Sequence, residues 1–174
     1  MNSRSATEPW FDVEAARADF PILSLSIWVP IVFGILVLAT GDDRNAPLAR
    51  WLSLLGSLAG FLLTLPLFTR FNRADGGFQF QEYCDWIPNF NIHYHLGIDG
   101  VAALLILLTS FTTVIVVMAG WEVIQKKVAQ YNAAFLIMSG LMIGVFSAID
   151  GILFYVFWEA MLIPMFIIIG VWGG

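Results

Sequence analysis

The chain has 174 residues, 59% hydrophobic and 12% charged, with a mean hydropathy of +0.82. Soluble domains carry roughly twice that share of charge, so a chain this apolar lacks the polar surface that water requires and reads as a membrane protein. The net charge of −5 without a Lys/Arg cluster argues against a nucleic-acid partner, and the lone cysteine, Cys84, rules out an internal disulfide and a Cys-ligated iron–sulfur cluster.

Residues 1–21 form a polar tail, with Glu8, Asp12, Glu14 and Asp19 against Arg4 and Arg17. A secretory signal has a basic start and then an apolar core; the tail has neither, so the first apolar run is expected to remain as a membrane span. Pro9, Trp10, Phe11 and Val13 permit a short interfacial helix before it.

A bilayer core about 30 Å thick takes about 20 helical residues. Its backbone groups must be bonded internally, so apolar runs of that length read as helices. Five such runs follow, at 22–40, 51–68, 101–119, 133–149 and 152–171. Between the first two, Asp42, Asp43, Asn45 and Pro47 are turn formers. The segment 70–99 is the one long extramembrane loop, and its stretch FQFQEYCDWIPNFNIHYH alternates apolar and polar residues as a short hairpin would. Glu122, Lys126 and Lys127 punctuate the next connection. Asp150 and Gly151 alone separate the last two runs, which must therefore be antiparallel neighbours. Trp51, Trp121 and Trp172 fall at helix ends, where indoles suit the headgroup level. Gly56 with Gly60, and Gly140 with Gly144, each form Gly-x-x-x-Gly, a spacing that lets helix backbones approach closely.

Orientation is weakly encoded. Lys and Arg divide four and four between the two sides, while nine of the 13 acids lie on the side of the tail, the long loop and Asp150. Acids contribute little to topology, so charge gives a slight preference for a non-cytoplasmic N-terminus.

The residue with most chemical content is Glu159, inside FYVFWEAMLIPMF, seven residues beyond Ile152. It stands about 10 Å into the membrane. An acid at the centre of a membrane helix costs about 2.5–3.5 kcal/mol and usually faces a protein interior or a water path. A carboxyl held away from water takes up and releases a proton according to the charges placed beside it. Glu159 is thus the candidate proton-linked carboxylate, against the plainer reading of a protonated side chain that hydrogen-bonds a neighbouring helix. Pro164, five residues on, deletes its bond to the Ala160 carbonyl and is expected to bend the helix there. Asp99 and Asp150 each precede a helix; they read first as N-caps and second as candidates for proton entry. His93 and His95 lack a third ligand and read as loop histidines rather than a metal site. No Lys or Arg lies within any of the five runs, so one intramembrane acid stands without further relay groups.

The stretch FYVFWEAMLIPMFIIIGVWGG at 154–174 resembles the fifth helix of the chain M family of bacterial NADH–quinone oxidoreductase, whose mitochondrial relative is NADH dehydrogenase chain 4. LGIDGVAALLILLTSF at 96–111 is similar to that family's third helix, and GLMIGVFSAIDGILFYVFWE at 140–159 joins the two in the same order. The resemblance covers about residues 22–174, and the LIPM after Glu159 favours chain M over chains L and N.

The resemblance implies an all-α membrane protein of the bacterial cytoplasmic membrane, N-terminus periplasmic. Its five helices would be the N-terminal portion of an antiporter-like bundle of about fourteen, each of about 20 residues. It implies a proton-translocating subunit that works with other membrane subunits and the lipid bilayer, coupling electron transfer from NADH to quinone to proton pumping. NADH, FMN, iron–sulfur clusters and quinone are implied in partner subunits, with no cofactor or metal bound by this chain. Glu159 matches the family's intramembrane glutamate, which pairs with a lysine on a later helix. That lysine is not among the residues of this sequence, so the chain is expected to be a truncated piece, inactive alone. Two alternatives stand beside this reading. One is a subunit of the related multisubunit cation/proton antiporters; the other is a non-catalytic membrane scaffold.

Overall fold

The computed structural model describes residues 21–74 and 76–174; the polar tail and the interfacial helix expected in it lie outside the described residues. Five helices follow one another: α1 (Ile22–Ala39), α2 (Ala46–Thr69), α3 (Gly100–Val123), α4 (Val128–Ser147) and α5 (Gly151–Trp172). All five are long and apolar enough to cross a membrane. A single antiparallel hairpin, β1 (Gln79–Ile87) and β2 (Ile92–Ile98), stands between α2 and α3. The protein is an all-α membrane bundle with one hairpin at one end.

The helices exceed the apolar runs wherever a polar residue continues the backbone ladder. α2 starts at Ala46 with Pro47 in its first turn, where a missing N–H costs nothing. It therefore takes Arg50 into its second turn, although hydropathy alone leaves every run free of basic residues. α4 starts at Val128 and carries Gln130, Tyr131 and Asn132 as helix. At its other end it stops at Ser147, short of the apolar run, because Ala148 and Ile149 are drawn off as an extended strip. Leu96 bridges Ala148, the Ile149 N–H donates to the His95 carbonyl at 2.9 Å, and the Ile149 side chain lies on Gly97. A pairing with a strand some 50 residues away cannot be read from local hydropathy. α5 is helical without interruption from Gly151 to Trp172, through Pro164, which is buried.

α4 is the hub, packing against each of the other four helices. It is also the most enclosed, with 61% of its most apolar stretch buried against 17% for α5. The close approaches fall at the small residues. A Cβ on Gly140 would strike the Ile27 carbonyl of α1, and one on Gly144 would lie 2.7 Å from the Phe157 ring of α5. On α2, Gly56 faces Phe33 and Gly60 faces Pro30 of α1. Where lipid removes the hydrophobic drive between helices, such contacts supply van der Waals attraction instead. Thr64 of α2 and Ser110 of α3 add a buried hydroxyl pair at 2.8 Å.

Three tryptophans, Trp51, Trp121 and Trp172, lie at the helix ends away from the hairpin. Trp51 and Trp121 meet edge to face at 5.4 Å between centroids, and Trp172 packs on Tyr131 and reaches the Lys126 carbonyl.

Candidate functional site

Three carboxylates organise the hairpin end of the bundle by satisfying the free N–H groups that begin each helix. Asp99 caps α3 through the Ala102 amide at 2.7 Å. Asp150 caps α5 through Ile152 and Leu153, at 2.9 and 3.1 Å, and also accepts the His93 amide of β2 at 3.2 Å. Burial works to raise the proton affinity of Asp150, but the amides of Leu153, His93 and Ile152 outweigh it and hold the carboxyl below the ordinary aspartate range. α1 has no acid of its own. Its cap comes from Glu82 on β1, whose carboxylate accepts the Leu23 and Ser24 amides at 2.8 and 3.1 Å and the Ser24 hydroxyl.

The opposite end has the same logic with other residues. Asp43 accepts the amides of Lys127 and Val128, both at 3.1 Å, and so caps α4. Arg50 donates to the Ile124 carbonyl at 3.0 Å and closes the C-terminus of α3. The α1–α2 connection, through Asp43, and the start of α2, through Arg50, thus hold both ends of the α3–α4 turn.

His93 lies on the hairpin between Tyr83, at 2.7 Å from its Nδ1, and Asp85, at 3.1 Å, with Asn91 on Nε2. His95 is buried beside Gln81, and burial lowers its proton affinity. Among the described residues no three His, Cys, Asp or Glu side chains come together as a metal would need.

Glu159 lies on a different part of the molecule from these caps. α5 turns Leu153, Phe157 and Pro164 inward, and Glu159 shares the opposite face with Tyr155, Ile163 and Phe166, all exposed. The interior position expected from the sequence is therefore not provided by these five helices: the carboxyl projects outward, and no cation among the described residues pairs with it. It stands eight residues past Gly151, about 12 Å along the helix axis.

Sequence reasoning passed over Glu82, Asp43 and Arg50, reading them as loop residues. Their partners are 58, 84 and 74 residues distant, so no local pattern marks them. The one available signal was the absence of an acid, Ser or Asn directly before α1, which leaves its amides in need of a distant acceptor.

Residues 77–147 match the family model described as NADH-ubiquinone oxidoreductase chain 4, amino terminus. The chain is 36% identical to NADH-quinone oxidoreductase subunit M of Rickettsia prowazekii, over 90% of its own length and 32% of the relative's. It is 41% identical to subunit M of Rhodobacter capsulatus, over 88% and 30%. With NADH-ubiquinone oxidoreductase chain 4 of Arabidopsis thaliana the identity is 43%, over 87% and 30%. The resemblance carried by the motifs around Glu159 and Asp99 thus extends over most of the chain, and the chain spans about a third of the length of the curated relatives it matches.

Proposed function

We propose that this chain forms the amino-terminal part of a proton-translocating membrane subunit of a respiratory NADH–quinone oxidoreductase, with Glu159 as its proton-linked carboxylate. The observation that carries the reading is an ionisable side chain on a membrane-length helix, on the outward face of the least enclosed of the five helices. A carboxylate facing lipid is costly, by about 2.5–3.5 kcal/mol at mid-membrane. The face of Tyr155, Glu159, Ile163 and Phe166 therefore calls for protein. The relatives are about three times as long as this chain, and in the proposed subunit further helices cover α5 and set a basic group against Glu159. Proton affinity then follows the distance of that partner. Pro164, one turn beyond, leaves the Ala160 carbonyl without its helical donor and loosens the helix beside the carboxylate.

The remaining assignments follow from the same reading. Partners are the other membrane subunits of the complex, and these or their peripheral neighbours hold NADH, FMN, iron–sulfur clusters and quinone. The hairpin, with Asp99 and Asp150 beneath it, faces the periplasm at the mouth of the proton path. Lys126 and Lys127 face the cytoplasm.

The test is Glu159→Gln in the complete subunit, assembled in the complex and reconstituted in vesicles. The expected result is loss of most NADH-driven proton uptake with the complex intact. Proton flux equal to the wild type would refute the role and favour a scaffold.

A further inference from the structure

A cleft of about 510 Å³ opens between the end of α2 and the start of α3, a size within the range of small-molecule sites. Its lining is graded. Phe68, in the last turn of α2, and Ala103 and Leu104, among the first five residues of α3, form an apolar floor with Phe71 beside them. Phe68 and Leu104 are exposed, so the floor opens onto the outer surface of two membrane-length helices. The rim carries charge. Arg73 stands four residues past the end of α2, and Asp99 directly before α3. The Arg73 guanidinium lies over the Phe68 ring, 6.0 Å from its centroid. One Asp99 oxygen accepts the Ala102 amide, which leaves the other free. Both side chains are exposed and line the same cleft, and no ion pair joins them to each other or to any other described residue.

We propose that this cleft binds an ethanolamine phospholipid of the leaflet at the hairpin end, its phosphate on Arg73, its ammonium on Asp99 and an acyl chain laid along Phe68 and Leu104. The site does not depend on the proton role of Glu159.

The reasoning runs from charge complementarity. A cation and an anion that share a cleft without meeting are both answered by one ligand that carries the opposite pair, an anion joined to a cation. A zwitterionic headgroup is such a ligand. Guanidinium pairs with phosphate through parallel N–H bonds, and Asp99 has a free oxygen for an ammonium. The apolar floor asks for a hydrocarbon chain on the same molecule, which a free headgroup lacks. The level fits as well, since the charges sit just outside the two helices and the apolar lining lies just inside them. Basic side chains at the ends of membrane helices meet lipid headgroups there. The choice among lipids follows from Asp99. A glycerol headgroup brings a phosphate and no cation, so the carboxylate gains nothing. A choline headgroup brings a cation without N–H donors. A primary ammonium supplies three.

Native mass spectrometry of the full chain in a non-ionic detergent reads the binding directly. The chain is titrated with phosphatidylethanolamine, phosphatidylcholine and phosphatidylglycerol of the same acyl chains, and with soluble glycerophosphoethanolamine. The expected result is a single ethanolamine lipid held about fivefold more tightly than either other lipid, the worth of one exposed ion pair, and little binding of the soluble headgroup. Arg73→Gln should weaken all three lipids, again by about fivefold. Asp99→Asn keeps the α3 cap, because Asn caps as well as Asp; it should erase the preference for ethanolamine over glycerol and leave phosphatidylglycerol bound no more weakly. Arg70→Gln, at the same helix end but outside the cleft, should change nothing. Equal retention of the three lipids, tighter binding of another lipid, or a preference that survives Asp99→Asn would each overturn the proposal. So would a loss in Arg70→Gln as large as in Arg73→Gln, or a soluble headgroup bound as tightly as the lipid.

Discussion

Replacing Gly140 by alanine asks whether backbone approach holds this bundle together. A methyl at that position would run into the Ile27 carbonyl and lie 2.6 Å from Ile31 Cγ1. Carbon atoms normally rest about 3.5–4.0 Å apart, so α1 would have to retreat by about 1 Å. It cannot do so locally, since α4 packs against all four other helices and the obstacle includes backbone rather than a side-chain tip. Overpacking of this kind costs about 1–3 kcal/mol, and a backbone clash belongs at the upper end. Alanine returns about 1 kcal/mol through its helix propensity. The net loss is then about 2 kcal/mol, or about thirtyfold in the folding equilibrium. Gly170 is the control, because a Cβ there meets nothing within 4 Å; Gly170→Ala should be neutral or gain up to about 1 kcal/mol. Steric trapping in bilayers, with biotin tags on α1 and α4, measures both. A Gly140→Ala protein as stable as the wild type would refute the packing argument.

Two further outcomes follow from the polar contacts. Thr64→Val and Ser110→Ala, combined in a double-mutant cycle, should return a coupling of about 0.6 kcal/mol, the usual worth of an interhelical hydrogen bond in a membrane; a value near zero would mean that each hydroxyl is satisfied by its own helix. For Asp150 the proton affinity is lowered in the folded chain, so its contribution is complete above the unfolded aspartate value and is lost as pH falls through the lower folded one. Asp150→Ala should cost about 1 kcal/mol at pH 7, and the difference between the two proteins' unfolding curves should shrink as pH falls below the ordinary aspartate value; a difference that does not change with pH would refute the linkage.

How much of this was legible in the sequence can be followed residue by residue. Asp99 and Asp150 stand directly before the helices they cap, and Gly140 and Gly144 stand four apart on one helix. In each case cause and effect lie within one or two turns, which a local pattern can register. The alternation around Tyr83 and Cys84 likewise anticipated the hairpin. Glu82, Asp43 and Arg50 went unread because each serves a helix end far along the chain, and loop acids and bases all look alike until the loop is placed. Ile149 misled for a similar reason, since an apolar residue extends a hydropathy run whether it is helical or paired with a strand.

Glu159 shows the boundary between the two kinds of information most clearly. That a carboxyl sits part-way along a membrane-length apolar helix is a fact of composition and spacing, fixed by the cost of burying charge and by the rise of an α-helix. Which way it points is set by the inward-facing Leu153, Phe157 and Pro164 and the helices they meet. The sequence by itself settled the number of membrane helices, their order, and the place of the one intramembrane acid, because the bilayer imposes length and backbone satisfaction on every span separately. Tertiary structure alone decided that α4 is the hub, that distant carboxylates cap α1 and α4, and that Glu159 lies on the outer face. Those outcomes depend on contacts between segments, and an interaction that spans tens of residues leaves no period in the chain.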